Sequence, residues 1–539
     1  MSAVHASPRP ALAQLDQPWD LLVIGGGITG AGIALEAARR GIKTLLVEQR
    51  DFAWGTSSRS SKLVHGGLRY LQQGQVHLTR DSVREREHLL RQARGLVDPQ
   101  SFAFANYPGR KPARWLLQVG LALYDALAGR RERHSYACDE FTLLAPHITS
   151  ADLQGGVCYT DAKTDDARLV LRVLQEARDH GCVALNYVAV RQLLRSGTGA
   201  LAQVTGVELV DALDGTTQRV NARVVVNATG AWADRLRAEQ GAAPKLRPLR
   251  GSHLLLPAWR LPVAQAVSLM HPRDGRPVFV YPWEGATLVG TTDVDHRTDL
   301  QDEARITEAE VEYLLELLAF AFAPLQLTRA DVLASYAGVR SVIDSGKADP
   351  SKEVRDHAVW LENGLLTVTG GKLTTFRLIA LDALKHLGAL LPAARSGSPD
   401  AALFAPAPEL PLGCGLNQLQ RRRLQGRYGA QASAALACAQ PGECQTIAGT
   451  ETLWLELRWA ARCEAVVHLE DLLLRRTRLG LLLRQGGAAL LPRIRSICQG
   501  ELGWSDARWQ AQAADYLALW QRNYSLPTTS ATTQETGNG

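Results

Sequence analysis

Three glycines and an acid give this chain its clearest chemistry. Gly25, Gly27 and Gly30 fall on the G-x-G-x-x-G spacing directly after the apolar run Leu21, Leu22, Val23, Ile24, and Glu48 closes the next apolar run. Such a turn suits a dinucleotide. The first glycine permits the bend, the second admits a pyrophosphate against the backbone, and the third lets helix and strand pack closely. The helix that begins there offers unpaired N–H groups and a partial positive charge to phosphates. Glu48 is placed to accept ribose hydroxyls, and an acid at that point favours FAD or NAD over a 2′-phosphorylated nucleotide.

Directly after this grip comes TSSRSSKLVHGGLRYLQQG, residues 56–74. In sequence and position it resembles the FAD-dependent (aerobic, quinone-linked) glycerol-3-phosphate dehydrogenase family. Six further segments agree: TDDARLVL (164–171), VNATGAWAD (226–234), RGSHLLLP (250–257), GTTDV (290–294), YAGVR (336–340) and GGKLTTFR (370–377). The resemblance covers about residues 18–390, and LELRWAARCEAVVHLEDLLLRRTRLGL resembles the family's C-terminal helical part. It implies an α/β fold: a glutathione-reductase-type (Rossmann-like) FAD-binding domain interwoven with an antiparallel-sheet substrate domain, plus a C-terminal α-helical domain. The FAD-binding pieces are expected at about 18–75, 150–250 and 335–390, and the substrate pieces at 76–149 and 251–334. A linker over 391–410 and a helical domain over 411–522 follow, with disordered tails at 1–17 and 523–539.

The resemblance also implies site residues. Arg69 and Arg340 match positions that bind substrate phosphate, and paired guanidiniums suit this because each charge-assisted bond adds roughly 1.5 to 3 kcal/mol. Tyr70 would add a hydroxyl contact and Thr375 another polar group. His253 is the candidate base, since a neutral imidazole titrates near working pH and can take the proton of the substrate hydroxyl. His65, in a glycine turn with Gly66, is expected beside the flavin. Lys372 should stabilise developing negative charge at the flavin N1/C2-carbonyl edge or on the substrate. Ser60, Ser61 and Lys62 are expected on the pyrophosphate and ribityl chain, Val188 at the adenine end, and Thr229, Gly230, Gly371, Leu373 and Thr374 along the cofactor. One position departs from the pattern: Ser341 stands where relatives commonly carry proline, which would stiffen the turn holding Arg340.

These groups need elements to hold them. Residues 183–190 are expected as one strand, 222–226 as a second that ends in the small residues Ala228, Thr229 and Gly230, and 365–369 as a third running into Gly370 and Gly371. A helix starting near Thr374, which would cap it, points a second positive helix end at the cofactor. Around residues 277–292, alternating apolar and polar residues predict a hairpin with Trp283, Glu284 and Gly285 at its turn. In the C-terminal part, i,i+4 pairs such as Asp471 with Arg475 predict solvated helix faces.

Composition bounds the rest. Hydrophobic residues make up 46% of 539, and no run of eighteen uncharged apolar residues is present to cross a bilayer. The eight cysteines show no C-x-x-C pair, which suits reduced thiols in a cytoplasmic setting, and no metal site is expected. Residues 1–17 lack a cationic start with an apolar core, so no secretory signal is expected. The formal net charge of +6 fits an anionic substrate or membrane surface rather than nucleic acid.

No second nucleotide fingerprint is evident after Gly30, so the resemblance implies quinone as electron acceptor and peripheral contact with the inner face of the cytoplasmic membrane. Residues 110–134 could make it: Trp115, Leu116, Val119, Leu123 and Leu127 recur at about helical spacing between Arg110, Lys111, Arg114 and Arg130, Arg131, Arg133. The substrate implied is sn-glycerol 3-phosphate. An oxidase releasing hydrogen peroxide is the enzymatic alternative, a non-catalytic FAD-fold binding or chaperone protein the alternative of another class, and a homodimer is possible.

Overall fold

The computed structural model describes residues 9–68, 76–108, 114–129, 132–197, 202–347, 353, 356–388, 390–391 and 402–528. Two sheets organise it. The path through the first, of eight strands, runs His357–Glu362, Leu365–Gly370, Thr217–Asn227, Trp19–Ile24, Thr44–Val47, Val183–Leu185. From Leu365–Gly370 onward every neighbour along this path is parallel. A parallel sheet covered on both faces needs continuous apolar strands, and Leu21, Leu22 and Val23 are fully buried. The helix Ile28–Ala38 packs against helices Asp166–Asp179 and Phe376–Leu387, so one short unit gathers three distant stretches of chain.

The second sheet has ten strands. Its path is Val294–Asp295, Leu246–Pro257, Ala286–Gly290, Pro277–Trp283, Ala266–Met270, Val97–Ala105, Gly156–Thr164, Leu63–Val64, with Ala334–Ile343 also on Leu246–Pro257. Most pairs are antiparallel, but Ala266–Met270 lies parallel to Val97–Ala105. The predicted hairpin forms: Trp283 faces Ala286, and Glu284 and Gly285 take φ of +52° and +94°, both left-handed as a type I′ turn requires.

Several expectations change. Residues 183–190 are not one strand, because Tyr187 at φ +57° breaks them into Val183–Leu185 and the start of Val188–Ser196. Thr374 does not cap the helix: a short 3-10 turn, Leu373–Thr375, precedes the α-helix Phe376–Leu387. The presumed N-terminal tail is packed from residue 9, with Arg9 on Asp211 at 2.6 Å and Leu12 and Leu15 buried. In the presumed linker Leu403 and Phe404 join the core of the first sheet. At the other end Tyr524 is buried, and its carbonyl accepts the Ser335 N–H at 2.7 Å.

The C-terminal part is helical over Gln418–Tyr428, Trp454–Cys463, Leu491–Cys498 and Asp506–Asn523, with a π-helical turn at Asp471–Arg476. There the solvated-face expectation fails, since Asp471 and Arg475 are both buried.

Candidate active site

The fingerprint turn is shaped by missing atoms. A Cβ on Gly30 would lie 1.9 Å from the Gly25 carbonyl oxygen, and one on Gly25, at φ +114°, would lie 2.6 Å from that of Ala228. Gly27 leaves room beside Ser57, whose Oγ accepts the Ile28 N–H at 2.9 Å. The other first-turn N–H groups have no intrahelical carbonyl to reach, the arrangement that holds a pyrophosphate. Glu48 folds back on this turn, accepting the N–H of Gly26 at 2.7 Å and of Arg50 at 2.9 Å. Burial raises its pKa against those two amides. A carboxylate offers about four lone-pair sites, so two remain for ribose hydroxyls. The residues present therefore fit FAD.

The other cofactor-facing predictions gather nearby. Thr374 Oγ1 and the His65 backbone lie within 3.2 Å at both N–H and carbonyl, which clips the His65 turn to the second helix start. Gly66 donates to Tyr124 and to Asp161, and its missing Cβ leaves space for the Tyr124 hydroxyl. Gly370 and Gly371, at φ +77° and +75°, swing the chain so that Lys372 reaches Ser82 Oγ at 2.8 Å. Leu373 packs partly buried on the first core, and Thr375 is half-buried. Thr229 bonds Asn227, and Gly230 turns at φ +60° close to the fingerprint. The Val188 N–H donates to the Glu48 carbonyl at 2.8 Å, which leaves its carbonyl for an adenine contact. The Lys62 ammonium is fully buried on Asp166 at 3.0 Å and on the Ser58 carbonyl at 2.9 Å.

On the second sheet, His253 stands opposite both Tyr336 and Gly290. Its ring stacks on Tyr336 with centroids 4.6 Å apart, and Nε2 meets Ser61 Oγ at 2.9 Å. A Cβ on Gly290 would fall 2.1 Å from the imidazole, so only glycine admits this ring. Burial, then the cations Arg340 and Lys62, hold the imidazole well below its ordinary range. Its Nδ1 is buried without a hydrogen-bond partner among the described residues. Arg340 rests one nitrogen on Asp293 at 2.8 Å and another on Thr291 at 3.1 Å, across a notch that Gly251 leaves open. Its fork keeps about a fifth of its surface exposed. Arg340 and His253 thus both lean on the Gly290 and Thr291 corner.

Arg69 and Tyr70 lie outside the described residues, so only one arm of the expected clamp is placed. Sequence reasoning missed Tyr336, Asp293, Gly251, Gly290 and Asp166 as parts of the site. All five fall inside the quoted motifs, where GTTDV and TDDARLVL had been given no role. In the helix Arg114–Ala128 the buried stripe is Leu117, Leu121 and Tyr124, while Val119 and Leu123 are exposed at 60% and 45% and Leu127 is half-buried. Arg110, Lys111, Arg130 and Arg131 lie outside the described residues, as do the side chains of Arg114, Trp115 and Leu116. No described helix is long and apolar enough to cross a membrane.

Comparison with known proteins places this geometry. Residues 20–377 match the FAD dependent oxidoreductase family, and residues 396–509 match the C-terminal domain of alpha-glycerophosphate oxidase. Glycerol-3-phosphate dehydrogenase 2 of Mycobacterium bovis is 35% identical over 93% of this chain and 88% of its own length. The aerobic glycerol-3-phosphate dehydrogenase of Staphylococcus epidermidis is 33% identical over 86% and 87%. Among solved structures, glycerol-3-phosphate dehydrogenase from Bacillus halodurans complexed with FAD superposes with a TM-score of 0.73 at 28% identity, covering 95% of this chain and 96% of that one. L-alpha-glycerophosphate oxidase from Mycoplasma pneumoniae shares the fold, with a TM-score of 0.57 at 17% identity over 73% and 100% of the two chains.

Proposed function

The chain belongs to the FAD dependent oxidoreductase family, among its glycerol-3-phosphate dehydrogenases, and we propose that it oxidises sn-glycerol 3-phosphate to dihydroxyacetone phosphate and passes both electrons to a membrane quinone. The observation that carries this reading is the part-exposed Arg340 side chain seated on the same corner as the buried, neutral His253. A bound flavin supplies an acceptor for the hydride, with its two electrons, leaving substrate C2. Arg340 holds the phosphate, joined by Arg69 and Tyr70. His253 takes the hydroxyl proton as the C2 carbonyl forms. Its suppressed basicity fits this order of events, because a phosphate dianion on Arg340 neutralises one of the cations that depress it. Lys372 and Thr375 complete the polar wall at the second helix start, where the helix end favours negative charge.

Anaerobic mixing with sn-glycerol 3-phosphate, with glycerol and L-lactate as controls, tests the reading. Bleaching of the flavin band by the phosphate ester alone supports it, and bleaching by glycerol equally well removes the phosphate clamp. The acceptor is a separate question. The C-terminal match to a glycerophosphate oxidase domain favours oxygen as a second reading, distinguished by the yield of peroxide per substrate under air. Exposed Val119 and Leu123, one helical turn apart, support contact with lipid. If V119E/L123E protein sediments with anionic vesicles as well as wild type does, that contact lies elsewhere.

A further inference from the structure

The C-terminal domain reaches the reaction centre through three arginines. Arg475, Arg476 and Arg478 follow one another around the Asp471–Arg476 turn, and each is at most 1% exposed. Arg475 and Arg476 both bond the Asp51 carboxylate. Arg478, at φ +64°, bonds Asp166 and the Ser58 carbonyl, the latter at 2.9 Å, and forms an ion pair with Asp165 at 3.1 Å. One short run of the distant domain therefore holds this segment at Asp51 and at Ser58.

The grip is passed on. Asp166 accepts the Ser60 N–H at 3.0 Å, the Ser60 hydroxyl at 2.7 Å and the Lys62 ammonium at 3.0 Å. The Ser60 carbonyl accepts the Tyr336 hydroxyl at 2.8 Å, and Tyr336 is the ring on which His253 stacks. The next residue, Ser61, makes the 2.9 Å bond to His253 Nε2. Lys62 and Arg478 face Asp166, Arg478 and Arg427 face Asp165, and removing Arg478 takes one of two paired cations from each buried carboxylate.

We propose that Arg478 is a positioning residue for the oxidation, acting through Asp166 on Ser60 and Ser61 to set His253. This rests on the reading of His253 given above. It assigns the C-terminal domain a part in the chemistry through a chain of contacts, Arg478 to Asp166 to Ser60 and Ser61, that ends on His253.

The full-length holoenzyme carrying R478K tests it. Lysine keeps the charge but has one nitrogen where the guanidinium spans two carboxylates and a carbonyl. Amide hydrogen exchange over residues 56–64 should speed up by about fivefold or more, with residues 20–38 unchanged. The limiting rate of flavin bleaching by sn-glycerol 3-phosphate should fall by about tenfold with KM within about twofold, and its pH inflection should move. S60A should shift the same readouts in the same direction by less. Faster exchange confined to residues 475–483, or an unchanged limiting rate and inflection in a protein with altered exchange, overturns the proposal. If R478K does not accumulate, S60A decides by the same two outcomes. If the wild-type flavin is not bleached by the ester, the functional reading fails, and exchange over 56–64 alone still decides whether Arg478 holds the loop.

Discussion

The cofactor turn and the arginine seam solve opposite problems. Around Gly25, Gly27 and Gly30 the protein makes a site by leaving atoms out, and backbone meets backbone at distances no Cβ tolerates. Around Asp51, Asp165 and Asp166 it fills the interior with charge, and three arginines arriving from more than 300 residues away neutralise it. The first device is steric, so it tolerates almost no substitution, whether the backbone it meets is its own, as at Gly30, or that of distant Ala228, as at Gly25. The second is cooperative: each ion is costly alone and tolerable only when all its partners are buried with it.

Substitutions can sharpen this contrast. G30A should be the most damaging, because the new methyl overlaps the Gly25 carbonyl; we expect FAD content below about a tenth of wild type by the visible to ultraviolet absorbance ratio. D51N breaks the seam instead, leaving Arg476 without its carboxylate and Arg475 with Asp471 and Glu470 alone, at about 3–5 kcal/mol, and should lower the thermal midpoint by several degrees while holding FAD at low temperature. G290A displaces the His253 ring; the limiting rate of flavin bleaching should drop about 100-fold with FAD content kept.

Acid should weaken the seam. Burial pulls the Asp51 carboxyl up, but Arg476 and Arg475 outweigh it and hold the pKa at about 2, below its value in the unfolded chain. Its stabilisation, about 2 kcal/mol, is thus whole above pH 4 and fades as pH falls toward 2. Urea midpoints between pH 5 and pH 2 should fall more steeply for wild type than for D51N. The smallest effect is expected from S341P beside Arg340, which should lower KM for sn-glycerol 3-phosphate by no more than about fivefold, the worth of 0.4–1 kcal/mol of lost chain freedom.

The two regions also differ in how far the sequence disclosed them. The glycine turn, Glu48 and the hairpin at Glu284 and Gly285 were legible because spacing and conformational need are local there. His253, Arg340, Lys372 and His65 were singled out through motif resemblance, although their partners were not, since nothing in GTTDV says that Asp293 supports an arginine two strands away. Asp471 and Arg475 were legible as a pair but misjudged as solvated, because a charged pair faces water by default and only tertiary structure shows it buried against Asp51. Likewise the break at Tyr187 has no glycine or proline to announce it.

The strand order has a consequence for synthesis. The central strand Trp19–Ile24 cannot gain its partner Thr217–Asn227, nor Asp51 its arginines, until those residues have left the ribosome. At roughly 5–20 residues per second, residue 478 emerges about 25 to 95 s after the first. Through that interval the nascent chain carries Asp51, Asp165 and Asp166 without the arginines that complete their pairing, so the N-terminal two thirds made alone should be held by chaperones or degraded rather than accumulate as a folded flavoprotein.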